Sequence, residues 1–228
     1  DWTFFRPGVR YLVEPYFRDI EEANIQASGA VVTGGDEEGD RGGDPVEVIV
    51  DFAEQMRSRG IELLVVVVPG KASIYPDKLT SLAEPRPSIW ANTSRFEGEL
   101  EEHGIEVLAL HDVFHWERPA ADRRGEHLYM ISDTHFTGYG ARLAARAVAE
   151  RIRKMDLLEI PPGENPFRRR KVTIARRGDI PEMTKIPLQE WLFATEWVDC
   201  SQVTKADSGD LYADDPASPV LWLGDSFS

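Results

Sequence analysis

Two short stretches carry the residues that could do chemistry. The first is Ser132-Asp133-Thr134-His135-Phe136-Thr137-Gly138, which sets a carboxylate two residues before an imidazole. The second is Gly224-Asp225-Ser226-Phe227-Ser228, reached directly from the apolar run Val220-Leu221-Trp222-Leu223. A serine hydroxyl is a weak nucleophile at neutral pH. It needs a base within hydrogen-bond reach, and the base needs a partner that fixes its tautomer. His135 can be that base, and Asp133 can reach back to its Nδ1 across a turn. A bend at Gly224-Asp225-Ser226 would expose the hydroxyl and aim backbone N–H groups, that of Ser226 first, at a developing oxyanion. Each half also has a plain reading: Asp133 as a turn residue capping a helix beside an ordinary histidine, and Gly-Asp-Ser as a common turn. Together they supply the three groups of a Ser-His-Asp hydrolase or acyltransferase.

The elements that must position these groups read as an α/β domain. Asp44 is a suitable N-cap, Pro45 follows at the first helical position, and Glu47 lies three residues after the cap. Val46, Ile49, Val50, Ala53 and Met56 then recur on one helical face, which Gly60 ends. Ile61 to Val68 is a β-branched run suited to a strand buried on both faces, closed by Pro69-Gly70. Lys71 to Leu79 is expected as a loop at the C-terminal end of that strand, where α/β folds place ligands. A helix within 87–103 would turn Trp90, Phe96 and Leu100 inward and stop at Gly104, and Ile105 to Leu110 is the next strand. This rhythm predicts a doubly wound, mainly parallel sheet flanked by helices. Residues 117–126 read as a charged loop. Thr137 can cap a helix from about Tyr139 to Met155, so the Asp133/His135 pair falls in the turn before it. Residues 161–218 read as an inserted irregular or β-rich lobe, with a short strand at Lys171–Ala175. A closing strand at 219–223 would deliver Ser226.

The 228 residues suit a single domain, led by residues 1–44. That lead-in combines aromatics up to residue 28, expected to pack on the main domain, with an acidic, glycine-rich run at 34–44 expected as a mobile loop. A calcium loop is the sharper reading of those acids, but their spacing does not fit the EF-hand pattern. His111 and His115, four apart, could share a helical face and bind zinc; without a third ligand nearby, strand-end polar residues are the better reading. No cofactor is called for. The net charge of −14 argues against nucleic acid as a partner, and the basic run Arg168-Arg169-Arg170-Lys171 reads as a solvated turn. The single cysteine, Cys200, precludes an intrachain disulfide and reads as a small buried hydrophobe. No segment approaches a membrane span, and the opening Asp1-Trp2-Thr3-Phe4-Phe5 shows neither a basic n-region nor an apolar h-region, so if there was a signal peptide it is absent from this sequence. It stops two residues past Ser226, which suggests a domain continuing beyond Ser228.

Gly-Asp-Ser after an apolar strand resembles the nucleophile block of the SGNH (GDSL) hydrolase superfamily. In most members that block comes first and an Asp-x-x-His block last. Here the order is reversed and the second block is Asp-x-His, as in the alginate O-acetyltransferase branch, the AlgX/AlgJ-like SGNH domains. Further points of similarity are Tyr129 before the Ser132–Thr137 block, and Gly138/Gly140 opening an alanine-rich helix. Val68-Pro69-Gly70-Lys71 followed by Ile74-Tyr75-Pro76, and Arg177-Gly178-Asp179-Ile180 with Met183, complete the likeness. Phe136 stands where that branch usually has tryptophan. The resemblance implies Ser226 as nucleophile, His135 as base and Asp133 as its orienting partner. It also implies substrate contacts at Lys71, Tyr75 and Tyr129, with a surface lysine and packing tyrosines as the plainer readings of those three. The activity implied is acetyl transfer through an acyl-serine to an extracytoplasmic, periplasmic or secreted polysaccharide, with the acyl group supplied by a membrane acyltransferase. A carbohydrate acetyl esterase, or a glycan-binding module without turnover, are the alternatives.

Overall fold

The computed structural model describes residues 2–20, 44–82, 87–158, 166–187 and 189–225. The acidic run at 34–43 and the Ser226–Ser228 end lie outside the described residues. The chain divides into two compact units. One is built from residues 9–67 and 86–108, the other from residues 1–8, 68–85 and 109–228.

The first unit realises the α/β rhythm read from the sequence. Helix α1 spans Arg6–Tyr11 and helix α2 spans Pro45–Arg57. The Asp44 side chain accepts the Val46 N–H at 2.8 Å and also binds the Arg18 guanidinium at 2.6 Å, so the cap is held from both sides. Strand β1, Leu64–Val67, begins three residues later than the β-branched run suggests; helices α3 (Lys71–Ile74) and α4 (Pro76–Leu79) follow it in the chain. A 3₁₀ turn at Pro87–Trp90 leads into α5, Ala91–Glu102, and β2, Glu106–Ala109, pairs with β1. Val46 and Ala53 of α2 meet Leu100 of α5 and Val107 of β2 in one apolar cluster, with Phe17, Phe96, Val65 and Val67 around it.

The second unit carries the chemistry-bearing turn. Helix α6 runs Leu110–Arg123, so residues 117–123 are helical where the sequence suggests a loop. Leu110, Phe114, Arg118 and Ala121 fall on its buried face at helical spacing, and that burial outweighs the cost of Pro119 inside the helix. His111 and His115 lie on this helix rather than at a strand end. The expected loop at 71–79 is instead the pair of helical turns α3 and α4, held by the buried Arg118. Its guanidinium donates to the Ile74 carbonyl at 2.6 Å and to Asp77 at 2.5 Å, and it stacks 4.4 Å from the Tyr75 ring centroid.

Helix α7, Gly138–Met155, starts where Thr137 accepts the Gly140 N–H at 3.2 Å. The remaining elements are β3 (Phe167–Arg176), α8 (Asp179–Thr184), α9 (Gln189–Leu192) and β4 (Glu196–Lys205). β3 and β4 pair antiparallel from Arg176↔Glu196 to Phe167↔Lys205, so the basic run Arg168–Lys171 is strand and not turn. Gly138 lies against β4: a Cβ there would come within 2.0 Å of the Asp199 carbonyl oxygen, so only glycine permits this approach of helix to strand. The strand expected at 219–223 does not form. Val220 to Leu223 make no ladder, and Leu221 is 80% exposed. Apolar composition alone provides neither backbone partners nor a covered face.

Candidate active site

The sequence from Leu128 to Thr137 doubles back on itself. Tyr129 bridges Phe136 antiparallel, Met130 N–H donates to the His135 carbonyl at 3.2 Å, and Thr137 N–H donates to the Leu128 carbonyl at 2.9 Å. The tip of this turn is Ile131-Ser132-Asp133-Thr134. Its base is aromatic: the Tyr129 and Phe136 rings lie 5.1 Å apart, and Phe114 of α6 packs on both. Phe136 thus fills an aromatic slot beneath the acid–imidazole pair.

Asp133 and His135 are joined as the spacing predicts. Asp133 Oδ1 lies 2.6 Å from His135 Nδ1 and accepts the His135 backbone N–H at 2.9 Å. Asp133 Oδ2 accepts the Asp179 backbone N–H at 3.1 Å. Burial by itself would raise the Asp133 pKa. The hydrogen bonds from the His135 backbone and ring, with the Asp179 N–H, outweigh it and hold the carboxyl below its ordinary value. Asp133 is therefore a buried carboxylate, while the His135 side chain is about a third exposed. This is the arrangement that fixes an imidazole tautomer with Nδ1 protonated.

Three distant side chains hold the turn. Lys71, 7% exposed, donates from Nζ to the carbonyls of Thr3 (2.7 Å), Ile131 (2.7 Å) and Asp133 (3.0 Å). Burial pulls its pKa down to about 8, against the opposing charges of Glu196, Asp133 and Asp179. Glu196, the first residue of β4, accepts the Ile131 and Ser132 N–H groups at 2.7 Å each. Asp179, the first residue of α8, accepts the Thr134 N–H at 2.8 Å and the Thr134 hydroxyl at 2.5 Å. Its Oδ2 also lies 3.5 Å from His135 Nδ1.

Of the residues singled out in the sequence, Asp133 and His135 are brought together, and Ser226 lies outside the described residues. Lys71, Tyr75 and Tyr129 lie in the interior, where each supports the backbone. Tyr75 and Tyr129 are 0% exposed, and Lys71 points its ammonium at backbone carbonyls. The Tyr75 hydroxyl accepts the Leu128 N–H at 2.9 Å, and the Tyr129 hydroxyl donates to the Pro69 carbonyl. Glu196 and Asp179 are not singled out by sequence reasoning as parts of the site. For Asp179 a signal exists in the glycine before it. Glu196 has no local signature, because its function depends only on where β4 lies.

Asp133, His135 and Asp179 each offer a ligand atom within 4.8 Å of the others, close enough to surround a cation. Their lone pairs are committed to hydrogen bonds: Asp133 accepts from His135 and Asp179, and Asp179 from Thr134. The trio reads as a hydrogen-bonded acid–base unit. Among the described residues, no helix is long and apolar enough to cross a membrane.

Residues 37–228 match the family described as SGNH hydrolase-like domain, acetyltransferase AlgX. The chain is 26% identical over 184 residues to the alginate biosynthesis protein AlgX of Pseudomonas aeruginosa, covering 77% of this chain and 37% of that one. It is 26% identical over 185 residues to the probable alginate O-acetylase AlgJ of Pseudomonas putida, covering 77% and 45%. The chain thus spans less than half the length of these relatives. Among solved structures, the O-acetyltransferase domain of Pseudomonas putida AlgJ superposes with a TM-score of 0.54 at 22% identity, covering 70% of this chain and 54% of that one. Bacillus cereus PatB1 superposes at 0.51 and 15% identity, covering 71% and 51%; both likenesses bear on the fold alone.

Proposed function

The chain belongs to the family of SGNH hydrolase-like domains of the acetyltransferase AlgX type, and we propose that it is a serine-dependent O-acetyltransferase acting on a polysaccharide outside the cytoplasm. The observation that supports this best is the 2.6 Å contact between Asp133 Oδ1 and His135 Nδ1 on a turn held from several sides. With Nδ1 given to Asp133, Nε2 is the nitrogen that exchanges protons.

Ser226 is the nucleophile in this reading. Its Oγ attacks the acetyl carbonyl of a donor while His135 takes the hydroxyl proton, and Asp133 stabilises the imidazolium without accepting that proton. Collapse of the tetrahedral intermediate leaves acetyl-Ser226, and His135 returns its proton to the leaving group. A sugar hydroxyl then attacks the acyl-serine. His135 takes the sugar's proton and passes it to the departing Ser226 Oγ. The donor is an acyl carrier charged by a membrane acyltransferase. The acceptor is a polysaccharide of the kind that the names of the curated relatives indicate.

A serine-reactive phosphonate tests the reading in the full-length protein. The adduct is expected on the peptide containing Ser226, and it is expected to vanish in His135→Ala and fall steeply in Asp133→Asn. No adduct on Ser226 in the folded wild type would refute the nucleophile.

A further inference from the structure

Asp179 makes more contacts with the turn than a helix start requires. Its backbone N–H holds Asp133 Oδ2 at 3.1 Å, which leaves Asp133 Oδ1 for the two donors of His135. Its carboxylate takes both the N–H and the hydroxyl of Thr134, the residue between the acid and the base. That grip brings Asp179 Oδ2 to 3.5 Å from His135 Nδ1. Helix α8 is only six residues long, so an elaborate N-terminal network is not needed to sustain it. Gly178 permits the approach: its φ of +93° and the 2.0 Å that a Cβ would leave to the Ser132 carbonyl oxygen bring α8 flush against the turn.

We propose that Asp179 is a second carboxylate of the acid–base unit, a positioning residue that orients Asp133 through its N–H and supports the His135 imidazolium through its charge. The proposal rests on His135 being the base for Ser226. As His135 takes the serine proton its ring becomes cationic, and it then meets the Asp179 carboxylate as well as that of Asp133. The other charged groups around the turn are Lys71, on the Ile131 and Asp133 carbonyls, and Glu196, on the Ile131 and Ser132 N–H groups. Both act on the backbone, whereas Asp133 and Asp179 each bring a carboxylate within ion-pair distance of the ring. The Arg177-Gly178-Asp179-Ile180 stretch thereby gains a chemical reason.

Asp179→Asn tests this because it is nearly isosteric. It keeps the backbone N–H on Asp133 and an oxygen for the Thr134 N–H, and removes the charge. Values of kcat and KM for acetyl release from p-nitrophenyl acetate are measured in the full-length protein. Removing a charge at this distance from the ring is expected to lower kcat about tenfold and to leave KM within about twofold of wild type. Asp179→Ser, which also keeps an acceptor for Thr134, repeats the measurement should the asparagine variant fold poorly. A kcat within about twofold of wild type in a folded variant overturns the proposal. Acetyl release that survives Ser226→Ala overturns the catalytic reading and this role with it. Release abolished by Ser226→Ala, together with an unchanged kcat in Asp179→Asn, overturns the role of Asp179 alone.

Discussion

Gly178→Ala is the substitution whose consequence the geometry defines most sharply. Gly178 has φ +93° and ψ 158°, a region that is essentially glycine's own. Holding an alanine there costs about 1–3 kcal/mol. The added Cβ would also lie 2.0 Å from the Ser132 carbonyl oxygen, so the two segments must separate by at least about 1 Å to reach the 3.0 Å that real contacts respect. Ser132 cannot yield easily, because its N–H is held by Glu196 at 2.7 Å. The movement falls instead on the Asp179 N–H bond to Asp133, a hydrogen bond to a charged group worth about 1.5–3 kcal/mol. Taking about 3 kcal/mol as the net loss and about 2–4 °C per kcal/mol for a chain of this size, the melting temperature should fall by roughly 6–12 °C.

Activity should suffer more than stability. An error of about 1 Å in the placement of Asp133 against His135 is worth about a hundredfold in rate. The assay is thermal unfolding by circular dichroism beside initial rates of acetyl release. Gly209→Ala is the control: its φ is +77° but nothing lies within 4 Å of the position its new methyl group would take, so it should lose only about 1 kcal/mol and keep its activity. A Gly178→Ala protein that melts within about 2 °C of wild type and turns over within about threefold of it would refute the claim that contact of α8 with the turn sets the acid–base geometry.

Substitutions at two further positions probe the other supports. Glu196→Ala should strand the Ile131 and Ser132 N–H groups and destabilise by about 1–3 kcal/mol, while Glu196→Gln, which can accept through one oxygen only, should fall between; equal melting temperatures for the two variants would contradict this. Lys71→Met should leave the Thr3, Ile131 and Asp133 carbonyls without their ammonium donor and lower the melting temperature at every pH. Its pH dependence has a definite sign. The Lys71 pKa is about 8 in the fold against 10.5 ordinarily, so between those values the unfolded chain binds more protons and the wild type gains stability from this group as pH rises. Chemical denaturation from pH 7 to 10 should therefore show the gap between wild type and Lys71→Met widening above pH 8; a narrowing gap would show that the carbonyls hold the ammonium above its ordinary pKa.

What the sequence makes legible follows contact range. The Asp133–His135 pair can be read directly because its members are two residues apart and a turn joins them without help. The caps at Asp44 and Thr137 are legible for the same reason: a capping side chain reaches only the next two or three N–H groups. Helix α6 is hidden past residue 117 because its charged residues and Pro119 look like a loop, until the buried face formed by Phe114, Arg118 and Ala121 is known. The run Val220–Leu223 suggests a buried strand by composition, which says nothing about whether a neighbouring strand pairs with it.

The supports of the candidate site are illegible for a related reason. Thr134 meets Asp179 across 45 residues, Asp133 meets Lys71 across 62, and Ile131 meets Glu196 across 65. In each of these contacts one partner is a backbone group, which every residue possesses, so no pairing of side-chain types betrays it. Lys71 shows the consequence. A lysine at a strand end reads as a cation waiting for a substrate, yet here its charge is used to gather carbonyls. The acid–base pair can thus be specified locally, while the accuracy with which it is held is specified by the whole unit. Substitutions at Lys71, Gly178 or Glu196 should therefore change rate without touching any reacting atom.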